Sequence, residues 1–137
     1  MKISTKGRYA MRLLIDLNEN QGDGFVALKD IAQRQSISKK YLEQIVPALT
    51  AEGVLKASRG LQGGYRLARE PEDIPVGEVL RLTEGSISPV ACLDSSPNEC
   101  PRCTDCLTLP VWQGLERVIN EYLDGVSLRD VLDGNVK

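Results

Sequence analysis

Four cysteines fall close together as Cys92-x7-Cys100-x2-Cys103-x2-Cys106, and the 137-residue chain contains no histidine. Thiolates are soft ligands, and a C-x2-C-x2-C run is a spacing at which three of them can hold one iron–sulfur cluster. Zinc usually draws on two separated ligand pairs, so it is the weaker metal reading, and a redox disulfide or unligated thiols complete the alternatives. Pro101 and the polar residues after it favour a loop that wraps. The lack of histidine removes Ser-His and Cys-His nucleophile pairs and leaves any metal to Cys, Asp and Glu. No nucleotide-binding loop is present, and nothing resembles the βαβ setting of a catalytic C-x-x-C. An enzyme is not expected.

The composition, 42% hydrophobic and 26% charged, suits one soluble core with an appendage. No basic segment followed by an apolar run opens the sequence, and no stretch approaches the roughly 18 to 20 apolar residues that cross a bilayer. The expectation is a cytoplasmic protein with no membrane partner. In that reducing compartment, clustered cysteines are metal ligands or redox switches rather than a disulfide framework. The net charge of −2 hides an asymmetry. Residues 1–70 carry 12 Lys/Arg against 7 Asp/Glu, whereas residues 71–137 carry 5 against 12. A polyanion should therefore meet the N-terminal half.

The elements needed to position these groups can be read from periodicity. Met11, Leu13, Leu14, Ile15 and Leu17 form an apolar cluster at helical spacing among Lys2, Lys6, Arg8 and Arg12, ending at Gly22-Asp23-Gly24. A second helix is predicted from Val26 to Gln35, with Leu28, Ile31 and Ala32 on one face. Ser36 and Ser38 then offer two N-caps for a third, running to about Glu52 and stopped by Gly53. Pro47 removes a backbone donor inside that helix and predicts a kink, leaving residues 38–46 as its outward-facing part. Two short helices, a polar turn and a third helix make a helix-turn-helix, although a plain three-helix bundle shares the pattern.

Strand-like Val54–Ser58 and Tyr65–Ala68 bracket Arg59-Gly60-Leu61-Gln62-Gly63-Gly64, a hairpin with a basic, glycine-rich tip. Placed directly after a helix-turn-helix, it reads as a wing that approaches phosphate. The fold class is thus mainly α with a small β-hairpin: a winged helix-turn-helix plus a long dimerisation helix. The candidate partner is double-stranded DNA. Its candidate contacts are Lys2, Ser4 and Lys6 at the N-terminus, Ser38, Lys39, Lys40, Tyr41, Glu43 and Gln44 on the third helix, and Lys56, Ser58, Arg59, Gly63 and Gly64 on the wing. Lysines suit phosphate or guanine, Gln44 suits adenine, and Glu43 can accept from cytosine while repelling phosphate.

Beyond the wing, Pro75-Val76-Gly77 begins a short amphipathic helix with Val79, Leu80 and Leu82 inward, ending at Gly85. The long loop from Ser86 to Leu107 contains every cysteine. Thr108 is a candidate N-cap for a helix to about Asp124, with Pro110 in its first turn. There Val111, Trp112, Leu115, Val118, Ile119, Tyr122 and Leu123 form an apolar stripe, read as the contact of a homodimer. Ser127 and Asp130 are spaced as a capping box for a last short helix. The organisation expected is residues 1–85 as the DNA-binding domain, 86–107 as the cysteine-rich, cluster-binding loop, and 108–137 as the dimerisation helix with its C-terminal short helix.

Assembled, these segments resemble the IscR-type regulators, a bacterial family whose branches include NsrR, RirA and the cluster-free CymR. The resemblance spans nearly the whole chain. It is carried by Met1 through Ala10, by Ser38 through Gln44 with its Tyr-Leu-Glu-Gln, by Arg59-Gly-x-x-Gly-Gly-Tyr65, by Val76-Gly-Glu-Val79 and by Cys106-Leu-Thr-x-x-x-Trp112. It implies a homodimer formed through crossed long helices, a cluster near the start of that helix, and control of iron–sulfur assembly, iron, cysteine or nitric-oxide-response genes. Two departures stand out. The IscR branch pairs three cysteines with a histidine where this chain has Leu109, and the NsrR branch offers an aspartate where this chain has Arg8. Cys103 is the substitute ligand, giving Cys92, Cys100, Cys103 and Cys106 as the metal set. The resemblance favours [2Fe-2S], with [4Fe-4S] as the alternative, since four thiolates suit either. Two such heads should read a palindromic operator with recognition helices about 34 to 36 Å apart.

Overall fold

The computed structural model describes residues 2–95 and 97–137. Helix α1 (Thr5–Asn20) starts where Ser4 adopts extended backbone and its hydroxyl accepts from the Lys6 N–H at 3.2 Å. Ala10, Leu13, Leu14 and Leu17 recur at three- and four-residue steps and are fully buried. They meet Ile31 from α2 (Leu28–Gln35) and Leu42, Ile45 and Leu49 from α3 (Lys39–Ala51). Helical periodicity supplies the inward face of each element, and hydrophobic burial joins the three.

The turn between α2 and α3 corrects one sequence expectation. Ser36 is left-handed, with φ 54°, and its N–H donates back into the last turn of α2, so it closes that helix rather than opening the next. Ser38 alone caps α3, its Oγ accepting from the Tyr41 N–H at 3.0 Å. Despite Pro47, α3 runs unbroken to Ala51. The ring lies on the exposed side, while Ile45, Val46 and Leu49 hold the helix to the core.

Strands β1 (Leu55–Ser58) and β2 (Gly64–Leu67) pair antiparallel, with Leu55 opposite Leu67 at the base and Ser58 opposite Gly64 at the tip. Leu55 and Leu67 enter the core. A second correction concerns Val26, predicted as the start of a helix. It is extended and exchanges both backbone hydrogen bonds with Tyr65 at 2.8 Å, adding a one-residue third strand to the hairpin. A pairing of one residue leaves no period-two signature to read.

A 3-10 turn at Pro71–Asp73 leads into α4 (Val76–Glu84), which buries Val79 and Leu80 and ends at Gly85 with φ 83°. After the cysteine loop come α5 (Leu109–Asp124) and α6 (Leu128–Asp133), the latter with the Ser127/Asp130 capping box fully formed. Chain direction then reverses onto the first unit. Leu128 is completely buried in the same core, and its N–H donates to the Ile74 carbonyl at 2.8 Å. Among the described residues, no helix is long and apolar enough to cross a membrane. The observed architecture is the expected one: mostly helical, with one small hairpin.

Candidate nucleic-acid interface and cysteine loop

Capping by Ser38 points the first turns of α3 away from the core, leaving Lys39, Lys40, Glu43 and Gln44 exposed. Lys39 Nζ lies 3.8 Å from Glu43 Oε1, a solvent-exposed i,i+4 pair that costs little to separate when a phosphate competes for the lysine. Tyr41 is placed differently from its neighbours. Its half-buried ring meets Tyr9 edge-on, centroids 5.5 Å apart, and Arg12 lies over Tyr9 at 5.1 Å. The Tyr41 ring thus packs α3 against α1. At the N-terminus Lys2 and Ser4 are exposed and Lys6 is half-exposed, whereas on the wing Lys56, Ser58 and Arg59 are open to solvent. Gly63 and Gly64 are half-buried at the tip, where a Cβ on Gly64 would run into the Val26 carbonyl.

A polar junction that sequence reasoning overlooked locks this surface. Asp16 is 1% exposed and receives a two-toothed contact from Arg34, at 3.0 and 2.7 Å, with Gln35 Nε2 donating at 3.0 Å. Burial pushes the Asp16 carboxyl up, but hydrogen bonds from Arg34, Gln35 and Asn20, with the Arg34 charge, outweigh it and hold it below the ordinary aspartate value. Gln35 is also gripped from α1 by Arg12, which donates to both its side chain and its carbonyl. Asp16 and Arg12 therefore fix the last turn of α2, and with it the turn that launches α3. The available signal was an aspartate inside the apolar run Leu13–Leu17, on the side of α1 that the helical period buries.

All four cysteines are free, half-buried thiols. The loop is a string of tight turns: the Cys103 N–H donates to the Cys100 carbonyl at 3.1 Å, the Asp105 N–H to Arg102 at 3.0 Å and the Leu109 N–H to Cys106 at 3.4 Å. Asn98 binds both ends of the first turn, accepting from the Cys100 N–H at 2.8 Å and from the Cys103 thiol at 3.9 Å. Its Nδ2 is buried with no hydrogen-bond partner among the described residues, a donor suited to an anionic sulfur. Thr108, expected as an N-cap, makes no capping bond; its hydroxyl lies 3.3 Å from Cys106 Sγ. That hydroxyl, the Thr108 and Leu109 amides and the charge of Arg102 hold the Cys106 thiol below its usual range, toward the ligating thiolate. The donor set fits an iron–sulfur group in chemistry and number. Among the described residues, however, no three Cys, Asp or Glu side chains converge on one point.

The family model Rrf2, described as an iron-dependent transcriptional regulator, matches residues 3–134. The chain belongs to the Rrf2 family. It is 39% identical over 132 residues to "Protein rrf2" of Nitratidesulfovibrio vulgaris, covering 96% of this chain and 87% of that one. Among solved structures it superposes on T. potens IscR with TM-score 0.76 and 40% identity, over 98% of this chain and 88% of that one. It superposes equally well on CymR, "the Global Cysteine Regulator of B. subtilis", with TM-score 0.76 and 38% identity, over 98% of both chains. As a member of the Rrf2 family this protein is a DNA-binding transcription regulator and not an enzyme, as the names of its relatives agree. The resemblance read from the motifs identified the same group.

Proposed function

We propose that the chain acts in the cytoplasm as a homodimer that reads a palindromic operator through α3 and the wing, with an iron–sulfur group on Cys92, Cys100, Cys103 and Cys106 setting how it binds. The observation that carries this reading is the position of the thiols. Four free cysteines occupy the one loop joining the DNA-reading unit to α5, and among the described residues none in α5 is buried within the single chain. Val111 is 59% exposed, Leu115 42%, Val118 55% and Tyr122 51%, a stripe at i, i+4, i+7 and i+11. A second copy of the same stripe would cover it, and two-fold symmetry would suit a symmetric operator.

Lys39 and Lys40 would neutralise phosphates, Gln44 would pair with adenine in the major groove, and Lys56 and Arg59 would hold the wing against the backbone. Replacing Lys39 with Ala should weaken binding evenly across DNA sequences and lower the slope of log affinity against log salt by about one. Gln44→Ala should instead relax preference at one base position, by about 1 to 3 kcal/mol. Fluorescence anisotropy against duplexes that differ at single positions separates the two.

When bound, an iron–sulfur group supplies a redox- and iron-sensitive crosslink among the four thiolates. Asn98 and Thr108 would donate to the sulfurs, and the chain of turns from Cys100 to Leu109 would draw together, because the thiols do not converge without it. The loop is tied to α5 where Ser88 Oγ donates to Glu116 at 2.7 Å, and it is continuous with α4 through Gly85 and Ser86, whose Oγ donates within the loop to Asp94 beside the Cys92 turn. Tightening therefore pulls on both α4 and α5, and would bias the spacing of the two heads.

The test is anaerobic purification of the full chain, with iron, acid-labile sulfide and zinc determined, and operator affinity measured before and after metal removal. Iron and sulfide in equal amounts and an affinity shift of about five-fold or more are expected, the lower end of ordinary coupling between sites. Zinc alone, or identical binding by loaded and stripped protein, would sink the proposal. A second reading, a thiol redox switch, is favoured by the lowered Cys106 thiol. Mass spectrometry after peroxide would then find a disulfide in iron-free protein that still changes its DNA affinity.

A further inference from the structure

The first turn of α1 contains no acidic residue, yet two of its backbone donors, at Ser4 and Gly7, are satisfied by a carboxylate from far along the chain. Glu84, the last residue of α4, accepts through Oε1 from the Ser4 N–H at 2.9 Å, the Ser4 hydroxyl at 2.7 Å and the Gly7 N–H at 3.1 Å. Helix ends leave such N–H groups without partners and carry partial positive charge, so a carboxylate there is doubly favoured. A second observation agrees that this approach is built in. A Cβ at position 7 would overlap Glu84 Oε1 and lie 3.0 Å from Leu80 Cδ2, so the glycine leaves the room in which the Glu84 carboxylate sits.

A neighbouring face of α4 meets α5. Arg81 donates to Asp124 at 2.5 Å and to Asn120 at 3.3 Å, one helical turn before Glu84. Directly after Glu84 the chain turns at Gly85 into the cysteine loop, and Ile3, Ile87 and Ile119 line one small apolar recess where the N-terminal segment, the loop and α5 meet. Thus α4 is a strut, with α5 held at Arg81 and the start of α1 held at Glu84. What Glu84 holds is the segment bearing Lys2, Ser4 and Lys6.

We propose that Glu84 is a positioning residue for DNA binding: it fixes the first turn of α1 so that Lys2 and Lys6 face the phosphate backbone, although it adds a negative charge beside them. This rests on the DNA-reading function proposed above. Charge alone predicts that removing Glu84 tightens binding to a polyanion, whereas positioning predicts that it weakens it. The isosteric Glu84→Gln keeps a neutral Oε1 with two lone pairs, able to accept two of the three bonds, and Glu84→Ala keeps none.

The experiment compares wild type, E84A and E84Q on a duplex enriched from a random pool by the protein itself, across a salt series, with amide hydrogen exchange at residues 4–8. E84A should bind about tenfold more weakly, with the salt slope lowered by about one as a phosphate contact is lost, and its first-turn amides should exchange faster. E84Q should stay within about threefold of wild type in affinity and match its slope. E84A that binds as well as wild type or better, E84A that weakens with an unchanged slope, or E84Q as weak as E84A would each overturn the proposal. Failure of the DNA-reading function shows elsewhere, as Lys39→Ala leaving affinity and slope unchanged. The amide exchange measurement reports on the Glu84 contact in either case.

Discussion

Asp16→Ala is expected to lower the stability of the folded chain by about 2 to 4 kcal/mol, because it removes a buried carboxylate that four donor groups converge on. Arg34 is 39% exposed and can regain water, so the loss stays below that of a fully buried pair. Gln35 Nε2 and the freed volume at Asp16 have no such compensation. Asp16→Asn tests the cause. It preserves the volume but turns an amide donor toward Arg34 or Gln35, so it should approach the alanine variant if hydrogen bonding and charge dominate, and approach wild type if volume dominates. Thermal unfolding of a chain this size should register the alanine change as a drop of about 10 °C.

The same contact sets a pH dependence. The Asp16 carboxyl titrates below its ordinary value in the folded chain, so its contribution is complete above about pH 5, where the unfolded carboxyl is almost wholly ionised. It is lost as pH falls further, through the depressed folded value. The gap between wild type and Asp16→Ala should therefore be constant from neutral pH to about 5 and shrink below 4. A gap that persists undiminished at low pH would assign the loss to packing. Since Asp16 and Arg12 together anchor Gln35, the variant should also weaken operator binding under conditions where it remains folded, by loosening the turn ahead of Ser38.

How much of this was legible depended on the range of each interaction. Helices α1 to α6 announce themselves through local periodicity and caps, and the Ser127/Asp130 box was readable because both partners lie within one turn. The basic face of α3 was readable for the same reason. Ser36 could not be assigned from type alone, since serine serves either end of a helix and only the backbone angle decides. Nonlocal pairings left fainter marks. Glu84 reaches 80 residues back to Ser4, and Asp16 reaches forward to α2; in both, a polar residue is explained only by a partner brought up through folding. The cysteine spacing marked the loop as a place where thiols gather, but the turn structure of the loop, with Thr108 bound to Cys106 instead of capping α5, follows from contacts that spacing does not specify.

Gly64→Ala should be at least as damaging as the loss of Asp16, and for a reason that lies within the fold itself. The sequence suggests that Gly63 and Gly64 allow close approach to phosphate. In the fold, Gly64 has φ +152°, and its missing side chain faces the chain's own backbone, where a Cβ would overlap the Val26 carbonyl and lie 2.8 Å from the Ala27 amide. Relief requires moving β2 away from Val26, at the expense of the paired Val26 and Tyr65 hydrogen bonds. Backbone strain of about 1 to 3 kcal/mol and two weakened bonds of about 1 kcal/mol each give a loss of roughly 3 to 5 kcal/mol. Gly60→Ala is the matched control. It also sits at positive φ, +106°, but nothing lies within 4 Å of its added carbon, so only the conformational strain of about 1 to 2 kcal/mol applies. Denaturant unfolding should rank the two variants in that order, and Gly64→Ala should lose DNA affinity as the wing detaches from the Val26 strand. Equal stability losses would show that Val26 does not brace the hairpin, and would return Gly64 to a role at the DNA surface alone.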